Sequence, residues 1–259
     1  MWQRIKVKRE YFTNLNKIEF AVTYACTGRC KHCSEGAHSD RGVHINPTLA
    51  ADAVRKIAGA YDIKTVMAFG GEPLLYPDAV YAIMSAAREM GVEQRQVITN
   101  GFFTKSGAEI CNTAERLYAC GVNDLLLSVD SFHQETIPLC DVRFFAEQLL
   151  KYKVSVRLSP AWLVSKEDDN PYNGKTREIL DSFADLGIKI GDGNIVFPEG
   201  NAKKFLAEYF GENTPQNPYT QDPCQIKCIS VDPSGDVLDG NLYRNDIIEI
   251  IKNYHPVRN

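Results

Sequence analysis

Residues 77–99 read PDAVYAIMSAAREMGVEQRQVIT. Val80, Ile83, Ala87 and Met90 share one helical face. Gly91 stands where a helix ends, and Val97-Ile98-Thr99 follows as a short apolar strand. The unit returns along the chain. Residues 106–120 carry Ile110, Ala114 and Leu117, then Gly121 and the strand Leu125-Leu126-Leu127. Residues 142–152 carry Val142, Phe145 and Leu149 before Val154-Ser155-Val156. Residues 176–186 carry Ile179, Phe183 and Leu186, then Gly187 and a strand near Ile195-Val196-Phe197. Upstream, Ile18–Thr23 and Thr65–Phe69 are the first two strands. Apolar strands alternating with amphipathic helices predict a parallel sheet covered by helices. Six strand–helix units recur at a spacing of roughly 30 residues, the size of a βαβ unit. Six are too few to close an eight-stranded barrel. The expected fold class is α/β: an open, partial (β/α)6 TIM-like barrel over residues 1–212, with a doubly wound sheet fitting the same pattern.

From about Asn213 the pattern changes. Residues 213–218, Asn-Thr-Pro-Gln-Asn-Pro, read as a linker. Residues 229–238 read as two short strands around the turn Asp232-Pro233-Ser234-Gly235-Asp236, and residues 247–252 as a short helix. Residues 213–259 are expected to be a C-terminal extension rather than an independent domain.

Composition excludes several classes. The chain has 259 residues, 24% charged and 44% hydrophobic, ordinary for a globular protein, with a net charge of -4. No basic field points to nucleic acid. No apolar run reaches the roughly 18–20 residues of a membrane span. Residues 1–9 are basic but lack an apolar core and a cleavage site, so no secretory signal is read there. Eight cysteines without such a signal favour metal binding and free thiols over disulfides, and a reducing cytoplasm.

The unusual residues collect at strand ends. Cys26–Cys33 follows strand one, Gly70-Gly71-Glu72-Pro73 strand two; Thr99-Asn100-Gly101 ends strand three, Ser128-Val129-Asp130 strand four, Arg157-Leu158-Ser159-Pro160 strand five, and Pro198-Glu199-Gly200 strand six. In parallel α/β folds the active site forms at the C-terminal strand ends. The loop after strand one reads Cys26-Thr27-Gly28-Arg29-Cys30-Lys31-His32-Cys33. Three thiolates within eight residues can wrap one metal centre and leave it one ligand short, which is how a metal keeps a position open for chemistry. Gly70 and Gly71 permit close backbone approach to a ligand, and Glu72 supplies an acceptor for an ammonium group.

The pair Cys26-xxx-Cys30-xx-Cys33 and Gly70-Gly71-Glu72-Pro73 resembles the radical S-adenosylmethionine (SAM) enzymes, over about residues 15–210. The resemblance implies a 4Fe–4S cluster on Cys26, Cys30 and Cys33 whose open iron chelates S-adenosyl-L-methionine. It implies reductive cleavage to a 5′-deoxyadenosyl radical that abstracts hydrogen from a substrate, with a reductant such as ferredoxin or flavodoxin, and oxidoreductase chemistry. Gly70, Gly71, Glu72 and Pro73 are carried over as the cofactor-binding loop. Ser128 and Asp130 are candidates for the ribose, with Asn100 behind them, and Arg157 for the carboxylate. The position before the third cysteine is usually aromatic; His32 stands there and can pack against adenine. Residues 224–237, with Cys224 and Cys228, resemble the start of a truncated SPASM/twitch-type extension, and this tilts the expected substrate toward a peptide over another small molecule. No leader-recognition domain is read in the roughly fifteen residues before strand one.

Other readings stand beside these. The three cysteines could hold structural zinc with His32, His38 or His44 as the fourth ligand, in a non-enzymatic zinc- or iron–sulfur-binding regulator or scaffold. Cys224 and Cys228 could be buried thiols, since two thiolates do not complete a four-cysteine set. Cys111 and Cys120 read as small hydrophobes on a helix. Cys140 and His133, in the loop after strand four, are the candidate catalytic hydrogen-atom or proton donors, against a solvated loop with no chemical role.

Overall fold

The computed structural model describes residues 10–38, 42–211 and 214–256. The basic stretch 1–9 and the expected boundary at residues 212 and 213 lie outside the described residues.

Four strands open the sheet: β1 (Lys17–Thr23), β2 (Thr65–Gly70), β3 (Gln94–Thr99) and β4 (Asp124–Leu127). Helices α1 (Pro47–Ala60), α2 (Pro77–Glu89) and α3 (Gly107–Cys120) connect them. After β4 come the single turn α4 (Ser131–Gln134), helix α5 (Leu139–Lys151), β5 (Val156–Leu158), β6 (Ala161–Trp162) and α6 (Pro171–Asp181). Then follow β7 (Lys189–Ile190), β8 (Asn194–Ile195), α7 (Gly200–Phe205), β9 (Cys228–Val231), β10 (Asp236–Val237), β11 (Gly240–Asn241) and α8 (Ile247–Asn253). The main sheet runs β11-β10-β9-β1-β2-β3-β4-β5-β7. Every pairing from β9 to β7 is parallel. The ends do not meet, so the barrel is open, as six units require.

Local chemistry places the helices. Asn46 caps α1, its side chain accepting from Thr48 and Leu49 N–H ahead of Pro47 at the first turn. Ser106 caps α3, which stops at Gly121 in the left-handed conformation. Ile18, Phe20 and Val22 of β1 are fully buried with Val54 and Ile57 of α1 and Val80 and Ile83 of α2 in one core. Lys17 and Glu19 alternate to the other face and line a central cavity, as the two-residue strand period demands.

Three expectations shift. Helix α1 was not read from the sequence, because its apolar face is mostly alanine: Ala50, Ala51 and Ala53. The fifth strand starts two residues later than its valines suggest. Lys153 takes a positive φ of 60°, and Val154 N–H closes back onto Leu149 O, so Val154 finishes α5. The sixth strand splits. Lys189–Ile190 pairs with β5, whereas Asn194–Ile195 leaves the main sheet to pair with β6. Pro160, with no N–H to donate, interrupts the ladder between the two. The turn at residues 232–236 is as expected, with Asp232 Oδ1 accepting from Ser234 and Asp236 N–H. Strand β9 adds in parallel to β1, so residues 228–231 extend the main sheet. Among the described residues no helix is long and apolar enough to cross a membrane.

Candidate active site

The loops after β1 and β2 are zipped together by backbone. Gly71 N–H donates to Thr23 O at 2.7 Å and Glu72 N–H to Ala25 O at 2.8 Å. A Cβ on Gly70, whose φ is +127°, would sit 2.4 Å from Thr23 O; one on Gly71 would sit 2.1 Å from Ala25 O. Only glycine permits this approach. What presses on the two glycines is the stem of the cysteine loop itself.

Glu72 is fully buried beneath that junction. Its carboxylate accepts from Leu74 N–H at 2.9 Å, Thr99 Oγ1 at 2.8 Å and Asn100 N–H at 2.8 Å. Burial pushes the Glu72 carboxyl up to about 7, against the pull of those three donors. The side chain is thus occupied in tying the ends of β2 and β3 together, and neither Glu72 nor the buried Pro73 lines the cavity. The glycine pair does line it.

The cavity measures about 850 Å³ and is lined by Cys26, Cys30 and Cys33. Burial raises all three thiols, Cys26 to about 11. Cys26 Sγ accepts from Gly28 N–H at 3.3 Å and from Asn100 Nδ2 at 3.5 Å. His38 Nδ1 donates to Tyr24 O, which leaves Nε2 to accept from the Cys33 thiol at 3.1 Å. His44 instead stacks on Tyr76. His32 lines the cavity and packs against Phe132 and His133, each ring centroid 4.9 Å away. Burial, then the neighbouring His133, lowers His32 to about 4, so its ring is neutral at pH 7.

Asn100, Ser128, Asp130 and His133 also line the cavity. Asp130 is fully buried. Burial pushes its carboxyl up, but His133 outweighs that and the group settles at about 2. It accepts from His133 N–H and Ala161 N–H, each at 2.9 Å, and from His133 Nδ1 at 2.8 Å. Asp130 therefore ties β4 to β6 and fixes one imidazole. Arg157 lies elsewhere: its guanidinium holds Asp124 with two hydrogen bonds, 2.8 and 2.7 Å, outside the cavity. Its commitment to Asp124 leaves no free fork for a cofactor carboxylate. Cys140 is exposed on the first turn of α5, also outside the cavity. Cys228 lines the cavity and Cys224 does not. Among the described residues neither joins a group of three metal-ligating side chains.

Sequence reasoning missed Asn201 and what Gly200 does for the loop. Asn201 N–H donates to Cys33 O at 2.8 Å and its Nδ2 to Cys30 O at 3.0 Å. Gly200, at φ +51°, lets this happen, because a Cβ there would lie 2.3 Å from Ser34 O. The strand-end triplet Pro198-Glu199-Gly200 carried the signal, but its target, the cysteine-loop backbone, is far away in sequence.

A family model, the Radical SAM superfamily, matches residues 20–207. A probable GTP 3′,8-cyclase of Saccharolobus islandicus is 26% identical over 203 residues, covering 75% of this chain and 61% of its own. The chain thus spans about three fifths of the length of that curated relative. Among solved structures, anSMEcpe with bound AdoMet superposes with a TM-score of 0.58 at 14% identity, over 92% of this chain and 80% of that one. Streptococcus suis SuiB bound to S-adenosylmethionine gives 0.55 at 12% identity, over 92% and 66%, and SuiB bound to precursor peptide SuiA gives 0.52. Those likenesses are of fold. The match of the family model over most of the chain carries more: the chain belongs to the radical SAM superfamily.

Proposed function

We infer that this enzyme cleaves S-adenosylmethionine reductively at a 4Fe–4S cluster held by Cys26, Cys30 and Cys33, and that the resulting radical abstracts hydrogen from a substrate in the central cavity. Membership of the superfamily implies both cofactors. The observation that carries the residue assignment is the junction at Gly71. There the backbone hydrogen bonds from Gly71 and Glu72 fuse the glycine loop to the stem of a loop whose three thiols line one cavity.

The donor set fits such a cluster. Buried thiols with raised pKa values are poor nucleophiles, and they ionise when a metal supplies the compensating charge. N–H groups of Gly28 and Asn100 already point at the Cys26 sulfur and suit a thiolate. When bound, the cluster supplies one electron to the sulfonium, giving methionine and a 5′-deoxyadenosyl radical. The chain's part is positional. Gly70 and Gly71 present a side-chain-free wall beside the sulfurs, Ser128 and Asn100 offer polar atoms to a ribose or amino group, and the His32 ring offers a flat face to adenine.

The substrate reading is a peptide or another neutral or cationic molecule. The cavity wall carries five carboxylates, among them Glu19, Glu199 and Asp222, against Lys17 and Lys227. Such a wall repels a nucleoside triphosphate and so does not favour the reaction named for the archaeal relative. The fold shared with SuiB is compatible with a peptide. The first part of the C-terminal extension is read as a wall of this cavity, since Tyr219, Gln225 and Cys228 line it. The electron donor would be a ferredoxin or flavodoxin in a reducing cytoplasm.

The test is anaerobic. Reconstitution with iron and sulfide, then dithionite and S-adenosylmethionine, yields 5′-deoxyadenosine, and replacing Cys26, Cys30 and Cys33 by alanine abolishes both the iron load and the product. Loaded protein that never yields 5′-deoxyadenosine overturns the reading. Offering short cationic and anionic peptides beside GTP then ranks substrate classes by uncoupled against coupled cleavage.

A further inference from the structure

One ligand atom each from Cys30, His32 and His133 lies within 4.8 Å of the other two. Bond lengths to zinc of about 2.3 Å for sulfur and 2.0 Å for imidazole nitrogen put one sulfur and two nitrogens roughly 3.3–3.5 Å apart around a tetrahedral ion. Small side-chain movements would therefore close this trio on one ion. A cubane, by contrast, places each thiolate on a different iron and spreads its ligands.

Two further observations single out the histidines. Asp130 is a carboxylate and accepts only, so in the neutral imidazole that binds a metal the 2.8 Å contact with His133 holds the proton on Nδ1 and the lone pair on Nε2. Carboxylate–imidazole pairs of this kind orient metal-binding histidines. Among the described residues His32 Nδ1 is buried with no hydrogen-bond partner. An orphaned buried nitrogen is costly, and a ligand to the ring or a metal on it removes the cost. The fold has put an oriented lone pair, an unpaired imidazole and a buried thiol together.

We propose that Cys30, His32 and His133 form a mononuclear site for a divalent ion of the zinc class, with Asp130 behind His133 and the fourth position open. One thiolate with two imidazoles is a borderline donor set suited to zinc or cobalt. The site shares only Cys30 with the cysteine trio. Given the cluster assignment above, zinc and cluster exclude one another, and zinc occupancy holds the chain in a cluster-free form.

The experiment uses the full chain, stripped with chelator under anaerobic conditions, with cobalt(II) as the probe. One equivalent binds with a tetrahedral visible spectrum and a thiolate charge-transfer band, and zinc displaces it. His133→Ala and His32→Ala each abolish binding at stoichiometric cobalt, Asp130→Asn weakens it about 10- to 100-fold, and Cys26→Ala and Cys33→Ala leave it unchanged. X-ray absorption of the zinc-loaded wild type, which needs no variant to fold, shows one sulfur and two imidazole nitrogens. A three-sulfur shell, or cobalt binding that needs Cys26 and Cys33 but neither histidine, overturns the site. Zinc added at one equivalent before iron and sulfide blocks cluster assembly; a cluster that loads at full yield with zinc retained overturns the exclusion. Cobalt binding involves no S-adenosylmethionine, so its outcome is independent of whether zinc-free loaded protein makes 5′-deoxyadenosine.

Discussion

The two halves of the sheet position the site by different means. Strands β1 to β4 run for seven, six, six and four residues, and their pairings are parallel ladders broken only by a register shift between Ala21 and Thr23. Strands β5 to β8 run for three, two, two and two residues. The first half delivers the cysteine and glycine loops from backbone geometry, locked where no side chain fits. The second half has too little ladder to fix its strand ends, and polar side chains do it instead. Asp130 reaches Ala161 N–H, Asn173 holds the loop after β6, and Asn201 holds the cysteine loop. Damage to the first half should come from adding atoms, and damage to the second from removing them.

Gly71→Ala is the largest expected effect. A Cβ 2.1 Å from Ala25 O has only backbone to push, so we expect a loss of about 4 kcal/mol or more, with no iron retained. Urea unfolding and iron analysis check it; a near-native midpoint with full iron would break the backbone-lock half of the comparison. Glu72→Ala comes next. It strands three buried donors, at a cost of about 3 kcal/mol. Glu72 also sets a pH dependence. Its folded carboxyl is raised from 4.5 to about 7, so the stability associated with the protonated form is fully present below pH 4.5 and is lost as pH rises through about 7. Unfolding midpoints between pH 5 and 8 should fall in the wild type and lose that slope in Glu72→Ala.

Asn173→Ala tests the other half directly. Asn173 is fully buried; its Oδ1 accepts from Leu163 N–H, and Nδ2 donates to the carbonyls of Leu163, Ser165 and Asp168. We expect a loss of about 2–3 kcal/mol, with the polar groups of residues 163–168 unpaired. A cost under about 0.5 kcal/mol, the size of an ordinary surface change, would show that the ladder and not the side chain holds this loop.

The same division explains what could be read from the chain. The long strands announced themselves as apolar runs, and the loops after β1 and β2 carried cysteines and glycines whose chemistry is local. The open barrel followed from the count of strand–helix units, and the family from those two loops. Where positioning passes to side chains, the pattern fades. Val154 looks like strand and is the end of a helix, and Ile195 looks like the sixth main-sheet strand and pairs with β6. Glu72 and Asp130 were legible as cofactor-site carboxylates, but not what they grip across the sheet, because Thr99, Asn100 and Ala161 lie 27 to 31 residues away. Arg157 sat at the right strand end, but Asp124 one strand over already holds it.

The smallest effect sharpens the comparison where the halves meet. Asn201→Ala removes the side-chain bond to Cys30 O but keeps the backbone bond from residue 201 to Cys33 O. One hydrogen bond to a half-exposed loop is worth about 1 kcal/mol. Global stability should barely move, since the cysteine stem stays zipped to Gly71 and Glu72. Retention of iron should fall, because the loop that carries Cys30 loses its tether on the open side of the cavity. Gly200→Ala pushes the same contact from the other direction, through a Cβ 2.3 Å from Ser34 O, and should displace the loop more. If both variants kept iron as long as the wild type in a chelator-release assay, the second half of the barrel would be a passive wall, and the cysteine loop would be held by the first half alone.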